Sequence, residues 1–371
     1  MSDLISRLLD LAVELQQIPA PTFREGPRAE FVRRRFEAEG LTDVGMDEVG
    51  NVCACRAADE GRTTKDRKRP VIVTAHLDTV FPPSVDLTVH REETRVSGPG
   101  IGDNCAGLAG LFGLLWALRE GGISLPGDVW LVGNVCEEGL GDLRGMKAVV
   151  ERFGAEVQAY IVLEGMALGQ IYHRGLGVRR YRIRVQTAGG HSWIDYGKPS
   201  AVHELARLSA GLTRIDVPNE PRSSLNIGVI AGGTSVNTIA AEATLELDLR
   251  SESPEALEAL VGQVERISGS ANQRGVEVTA ECIGARPAGG IPAEAPLVRL
   301  AEEVLRTLGE TPRRNIGSTD ANIPLSRGLP AITIGLTTGG GAHTVHEYIN
   351  TAPLSRGLDQ VVRLVQGVWG I

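Results

Sequence analysis

Four uniformly apolar, strand-like segments each run straight into acidic residues or histidine, and this pattern restricts the fold more than any other. In VIVTAHLDTV, Val71, Ile72 and Val73 read as a buried strand that stops at His76 and Asp78. DVWLVGNVC runs into Glu137 and Glu138, AYIVL into Glu164, and AITIGL into a glycine loop holding His343. Strands apolar on both faces belong to parallel sheets covered by helices, and such open sheets bind ligands beyond their carboxyl ends. The pattern predicts an α/β fold with a mostly parallel sheet flanked by helices, and a ligand site at one edge of it.

At 371 residues the chain exceeds the size of one core, so two domains are expected. Helical spacing and breakers predict helices over 4–17, 26–39, 108–118 and 143–152 between the strands. The texture changes near Leu176. Residues 178–187 (VRRYRIRVQT) alternate polar and apolar, the mark of a strand wetted on one face. A helix over 201–212, strands over 224–231 and 241–249, a helix over 254–267 and a strand over 276–282 complete a βαββαβ, ferredoxin-like order. The expected division is a larger domain of residues 1–176 and 288–371, interrupted by an inserted domain of residues 177–287. After Pro292 the apolar texture returns, with a helix over 296–308, a strand over 331–336 and a closing helix over 355–368.

Hydrophobic content of 42% supports real cores, and a net charge of −8 argues against a nucleic-acid partner. The one basic run, residues 62–69 (RTTKDRKR), reads as a solvated loop. Five cysteines, Cys53, Cys55, Cys105, Cys136 and Cys282, form no CxxC pair or framework, which favours a reducing, cytoplasmic setting. The amphipathic N-terminus lacks the features of a signal peptide. No window is expected to span a membrane, because the longest apolar helix is broken by glycines and followed by Arg119 and Glu120.

His76 and Asp78 stand two apart on an extended segment, so both side chains leave one face. One of them can bind a metal while the other fixes the imidazole tautomer. Adjacent Glu137 and Glu138 would point to opposite faces and could divide metal binding from activation of a water. Asp103, in GPGIGDNCAG, and Glu164 add two carboxylates. With His343 this makes a nitrogen and oxygen donor set suited to two zinc-like ions. Two such ions about 3.5 to 4 Å apart clamp a hydroxide and polarise a carbonyl in aminopeptidases and similar hydrolases. Taken singly, each acid reads more readily as a loop ion pair and each His as a satisfied polar residue; their shared sheet edge is what argues otherwise. GPGIGDN lacks the full dinucleotide-loop spacing, and GxSxG and HExxH are absent.

The motifs HLDTV, GPGIGDNCAG, EEG, LEG, AGGHS, GGTSVNTIA, STDANI and GAHTVHEY occur in this order over nearly the whole chain. In them the chain resembles the co-catalytic zinc peptidase family of carboxypeptidase G, peptidase T, aminoacylase, carnosinase and the succinyl-diaminopimelate desuccinylases. The resemblance implies that His76 and Glu164 hold one metal, Glu138 and His343 the other, and that Asp103 bridges them. Asp78 would orient His76, Glu137 would be the general base, and a cis peptide would follow Asp103. The two ions would be zinc, with cobalt or manganese as alternatives. His191 in AGGHS would reach across a homodimer interface to an oxyanion, with the inserted domain as lid and dimerisation module; its plainer reading is a turn residue. Asn237 and Arg250 would grip a substrate carboxylate, although Arg250 also reads as an exposed ion pair, and Ser318 and Thr319 would stand beside the substrate. His346 competes with His343, which is preferred because it stands four before Glu347 as in the family. Many relatives have Asp and Lys after the bridging aspartate, where this chain has Asn104 and Cys105. The implied activity is an exopeptidase acting on short peptides. An N-acyl-amino-acid deacylase or carbamoylase is the alternative, and a metabolite-binding regulator the reading outside enzymes.

Overall fold

The computed structural model describes residues 2–59 and 68–371, so most of the basic run at 62–69 lies outside the described residues. The chain forms two compact units, one running through Gly175 and resuming at Gly290–Ile371, the other Leu176–Gly289.

The first unit is built on a mixed sheet whose middle is parallel. Its strands lie in the order Thr42–Met46, Val52–Arg56, Gly127–Asn134, Lys68–His76, Ala159–Glu164, Ala331–Gly335 and Gln170–Gly175, with Arg313–Gly317 beside the last. Gly127–Asn134, Lys68–His76, Ala159–Glu164 and Ala331–Gly335 run parallel, with Val73 opposite Leu131 on one side and Ile161 on the other. Their carboxyl ends therefore share one edge. Val71, Ile72, Val73, Ile161, Val162 and Ile332 are fully buried, as strands covered on both faces must be. Sequence reading did not anticipate the Thr42–Met46, Gln170–Gly175 and Arg313–Gly317 strands, which are short and carry polar residues.

Helix Gly107–Glu120 covers the sheet and packs against Ser2–Gln16 and Leu354–Gly367. Leu108, Leu111, Leu114 and Leu115 on it are at most 1% exposed, and each buried leucine contributes about 1.5 to 3 kcal/mol. Together with the preceding turn, Ile101–Glu120 is 20 residues long and contains an 18-residue window of mean hydropathy 1.4, long and apolar enough to cross a membrane by length and composition. This corrects the expectation that no window would reach that threshold. The window is 89% buried inside the fold, so its apolarity is that of a core helix. Its glycines permit close packing rather than breaking it: a Cβ at Gly110 would come within 2.3 Å of Leu336, and one at Gly113 within 2.8 Å of Leu8.

The second unit is a four-stranded antiparallel sheet in the order Ser223–Gly232, Glu242–Ser251, Gly177–Thr187, Val276–Arg286, with helices Ala201–Leu212 and Pro254–Ser270. Leu245, Leu247 and Leu249 alternate inward and pack with Leu205, Leu208, Leu257 and Leu260 of the helices. Ser253 caps the second helix by accepting from the Ala256 amide, with Pro254 beginning its first turn. Ser223–Gly232 is an edge strand that leaves Val229 and Ile230 exposed.

Candidate metal centre

At the shared strand edge of the first unit, His76 ends its strand with its imidazole 1% exposed. Its Nδ1 lies 3.0 Å from the Asp78 carbonyl oxygen and 3.5 Å from the Asp78 carboxylate. A carbonyl only accepts, so Nδ1 carries a hydrogen, and Nε2 is the nitrogen that remains to take a proton or a metal ion. That Nε2 faces Asp103 Oδ1 at 3.0 Å and Glu164 Oε2 at 3.9 Å. The other oxygen of Asp103 lies 3.1 Å from His343 Nε2, which is also 3.3 Å from Glu138 Oε1. Asp103 thus stands between two imidazoles, one oxygen toward each. His76–Asp103–Glu164, Asp103–Glu138–His343 and His76–Glu137–Glu138 each place their donor atoms within 4.8 Å of one another. All five expected ligand positions meet here, and Glu137 joins them.

The loop that carries Asp103 needs its glycines. Gly100 has φ +73, and a Cβ there would meet Thr79 Cγ2 at 2.8 Å. A Cβ at Gly102 would meet Met166 at 2.5 Å. The Asp103–Asn104 peptide is cis, and His343 holds its own left-handed backbone at φ 64. The strand before Glu137 ends at Asn134, and Cys136 turns the chain with φ 61. The alternation expected for Glu137 and Glu138 therefore does not apply, because neither residue lies on an extended strand.

A second layer of buried side chains braces this cluster, and its contacts were not legible in the sequence. The Asp78 carboxylate accepts from the Glu137 amide at 3.0 Å, the Glu138 amide at 2.9 Å and the Thr22 hydroxyl at 2.9 Å. It anchors the acidic pair more directly than it touches His76. Asn104, fully buried, donates to the Leu163 carbonyl at 2.8 Å and accepts from the Gly165 amide at 3.1 Å, gripping the chain on both sides of Glu164. Glu347, also fully buried, accepts from the amides of Gly102 at 2.7 Å, Asp103 at 2.8 Å and Gly100 at 3.3 Å. Asn134 donates to Asp320 at 2.7 Å. The sequence signals were faint: Asn104 stood out only as a departure from a family pattern, and Glu347 only as a spacing mark.

The electrostatics fit a site for cations. Burial opposes a charged His76, but Asp103 and Asp78 outweigh it and hold the imidazole well above its ordinary value. Asp103 and Glu138 raise His343 to about 10. Burial alone would raise Asp103, yet His343 and His76 hold it well below the carboxylate range. Burial pushes Glu164 well above its usual value, with His76 opposing and Asp103, Glu137 and Asp320 adding to the rise. Burial also lifts Glu347 to about 7 against the pull of its three amide donors. Four acids around two imidazoles demand compensating positive charge, and protons on the imidazoles stand where metal ions would. Imidazole and carboxylate donors with no thiolate among them match the preferences of zinc and its neighbours.

The remaining expected residues are spread more widely. His346 is exposed and belongs to none of the three clusters. Thr319 shares a hydroxyl hydrogen bond with Thr333 at 2.8 Å, and its amide donates to the Asn322 side chain at 3.0 Å. Ser318 adjoins it in the loop before helix Asn322–Ser326. In the second unit, Gly190–His191 pairs with Thr238–Ile239, and the Ser192 amide donates to the Asn237 carbonyl at 3.0 Å, so His191 and Asn237 are neighbours. The exposed His191 ring accepts from the Trp193 amide at 3.2 Å. Arg250 Nε donates to Asp248 at 2.7 Å with its side chain 42% exposed, the ion pair that was its plainer reading.

Comparison with known proteins identifies the family of the chain. Residues 72–367 match Peptidase family M20/M25/M40. An uncharacterized protein of Bacillus subtilis, YqjE, is 26% identical over 97% of this chain and 98% of its own length. Carboxypeptidase G2 of a Pseudomonas species is 25% identical over 90% of this chain and 80% of its own. A tripeptidase from Staphylococcus aureus superposes with a TM-score of 0.82 at 24% identity, covering 99% of each chain, which shows a common fold. With the match covering most of its length, the chain belongs to peptidase family M20/M25/M40 and is a hydrolase.

Proposed function

We propose that this hydrolase is a two-metal exopeptidase that cleaves amide bonds in short peptides. The observation that carries the reading is Asp103, whose two carboxylate oxygens face different histidines within two overlapping donor groups. His76 and Glu164 would hold one divalent ion, Glu138 and His343 the other, and Asp103 both, with zinc favoured over cobalt or manganese. When bound, such a pair lowers the pKa of water from about 16 to about 7 and polarises a carbonyl.

Glu137 is 6% exposed, beside Glu138, with a carboxylate oxygen within 4.8 Å of a His76 ring nitrogen. It takes the proton of the attacking water and returns it to the leaving amine. Asp78 fixes the backbone of Glu137 and Glu138 and, through its carbonyl, the tautomer of His76. The second unit acts as lid and dimerisation module of a homodimer, so that His191 of the partner subunit meets the developing oxyanion. Asn237 and Arg250 bind the substrate carboxylate, for which the guanidinium fork is suited. Ser318 and Thr319 border the substrate. Five cysteines in the reduced state support a reducing compartment, the cytoplasm, as the place of action.

The test is hydrolysis of di- and tripeptides against N-acetyl and N-carbamoyl amino acids, with metal content measured on the same samples. Turnover of peptides that is lost on chelation and restored by zinc supports the reading. Preferential cleavage of N-acyl or N-carbamoyl substrates would make the protein a deacylase or carbamoylase using the same groups. Absence of both hydrolysis and metal would leave a metabolite-binding protein.

A further inference from the structure

We propose that Glu347 is a positioning residue: its carboxylate fixes the Asp103 loop so that both oxygens of Asp103 meet their histidines, and it thereby sets how tightly the paired cations are held. The inference rests on the two-metal reading and adds a residue to it. Glu347 is fully buried and follows His343 on the same turn of chain. Its Oε1 accepts from Gly102 and Asp103, its Oε2 from Gly100, and its own carbonyl accepts from Gly98 at 2.9 Å. One residue thus captures four amides of the six-residue stretch 98–103.

Other contacts hold the stretch away from the Asp103 amide: Ile101 is fully buried, its amide donates to the Gly98 carbonyl at 3.2 Å, and the Cys105 amide donates to the Gly100 carbonyl at 3.2 Å. Gln16 donates to the Pro99 carbonyl at 3.0 Å, but that bond lies four residues before Asp103 and leaves its amide free to turn. The Asp103 amide is held by Glu347 at 2.8 Å. Because Glu347 sits four residues after His343, the same contact ties the loop of one expected ligand to the loop of another. The partners of its carboxylate are all N–H donors, so its acceptor oxygens match them without a proton between. The residue touches neither the expected cations nor substrate; it acts through Asp103.

The test compares three variants, Glu347→Gln, Glu347→Asp and Glu347→Ala, by zinc titration calorimetry and by hydrogen exchange of the cation-free protein. Glu347→Gln keeps an acceptor of full reach for Gly102 and Asp103 and loses only the longest bond, to Gly100. Glu347→Asp keeps the charge but shortens the reach by one methylene. Glu347→Asp and Glu347→Ala should bind zinc about 10- to 100-fold more weakly and speed exchange at Gly102 and Asp103 but not in strand Ala331–Gly335. Glu347→Gln should lie closer to the wild type in both readouts. The proposal is overturned if Glu347→Asp retains zinc better than Glu347→Gln, or if the exchange of Gly102 and Asp103 is unchanged in folded Glu347→Asp or Glu347→Ala protein. If Glu347→Ala does not fold, the Gln and Asp pair still decides. Failure of the wild type itself to bind two ions would count against the two-metal reading instead.

Discussion

The two units hold their candidate residues in opposite ways. In the first, His76, Asp78, Glu137, Glu138 and Glu347 are each at most 6% exposed, Asp103 and Glu164 are half-buried, only His343 among the expected ligands is exposed, and Asp78, Asn104 and Glu347 brace their neighbours through paired hydrogen bonds. In the second, His191 and Asn237 are exposed and, among the described residues, their side chains hydrogen-bond only to residues within three positions of themselves. Groups that must crowd like charges together need a rigid, buried frame. Groups that meet a substrate from solvent do not, and exposed loops can carry them. The comparison predicts that variants of the expected ligands and their braces in the first unit disturb cation binding, whereas variants of the second unit, like that of the expected proton acceptor Glu137, disturb turnover alone.

The largest effect should come from Glu137→Gln, which removes the proton acceptor but leaves the expected ligands in place. Turnover should fall about 10²- to 10⁴-fold with two zinc ions still present by elemental analysis; near-normal turnover would remove Glu137 from the mechanism. Next, His191→Ala should lower kcat about 10²- to 10³-fold with unchanged zinc content, and loss of zinc in this variant would erase the contrast between the units. Asp78→Asn offers a smaller effect in the opposite channel. It keeps one acceptor of the two that hold the Glu137 and Glu138 amides, so zinc affinity should drop about 10- to 100-fold. Smallest is Thr22→Val, which removes the hydroxyl donor to Asp78 and should cost about 1 kcal/mol of stability in urea unfolding. A cost near zero would mean that this outer bond contributes nothing to the frame.

The same contrast explains what could be read from the sequence. The apolar runs ending in His76, Glu164 and the Glu137–Glu138 pair revealed both the parallel sheet and its loaded edge, because strand period and burial are local properties. His343 was separable from His346 only by family spacing, since nothing local distinguishes two exposed histidines of one turn. The bracing layer was hidden because its bonds join residues far apart: Glu347 reaches Gly102 across 245 positions and Asn104 reaches Leu163 across 59. Backbone acceptors and donors leave no mark on side-chain pattern. The strand alternation behind the opposite-face expectation for Glu137 and Glu138 was absent for a related reason, because the strand stops at Asn134 and the left-handed turn at Cys136 is made by a residue type that gives no warning of it. Glycine in helix Gly107–Glu120 misled in the other direction: what reads as a breaker is a contact surface for Leu336 and Leu8.

The most direct test of the account is anomalous X-ray scattering at the zinc edge from crystals grown with zinc. The account predicts two peaks about 3.5 to 4 Å apart, one among His76, Glu164 and Asp103, the other among Glu138, His343 and Asp103. A single peak, or peaks remote from Asp103, would contradict it.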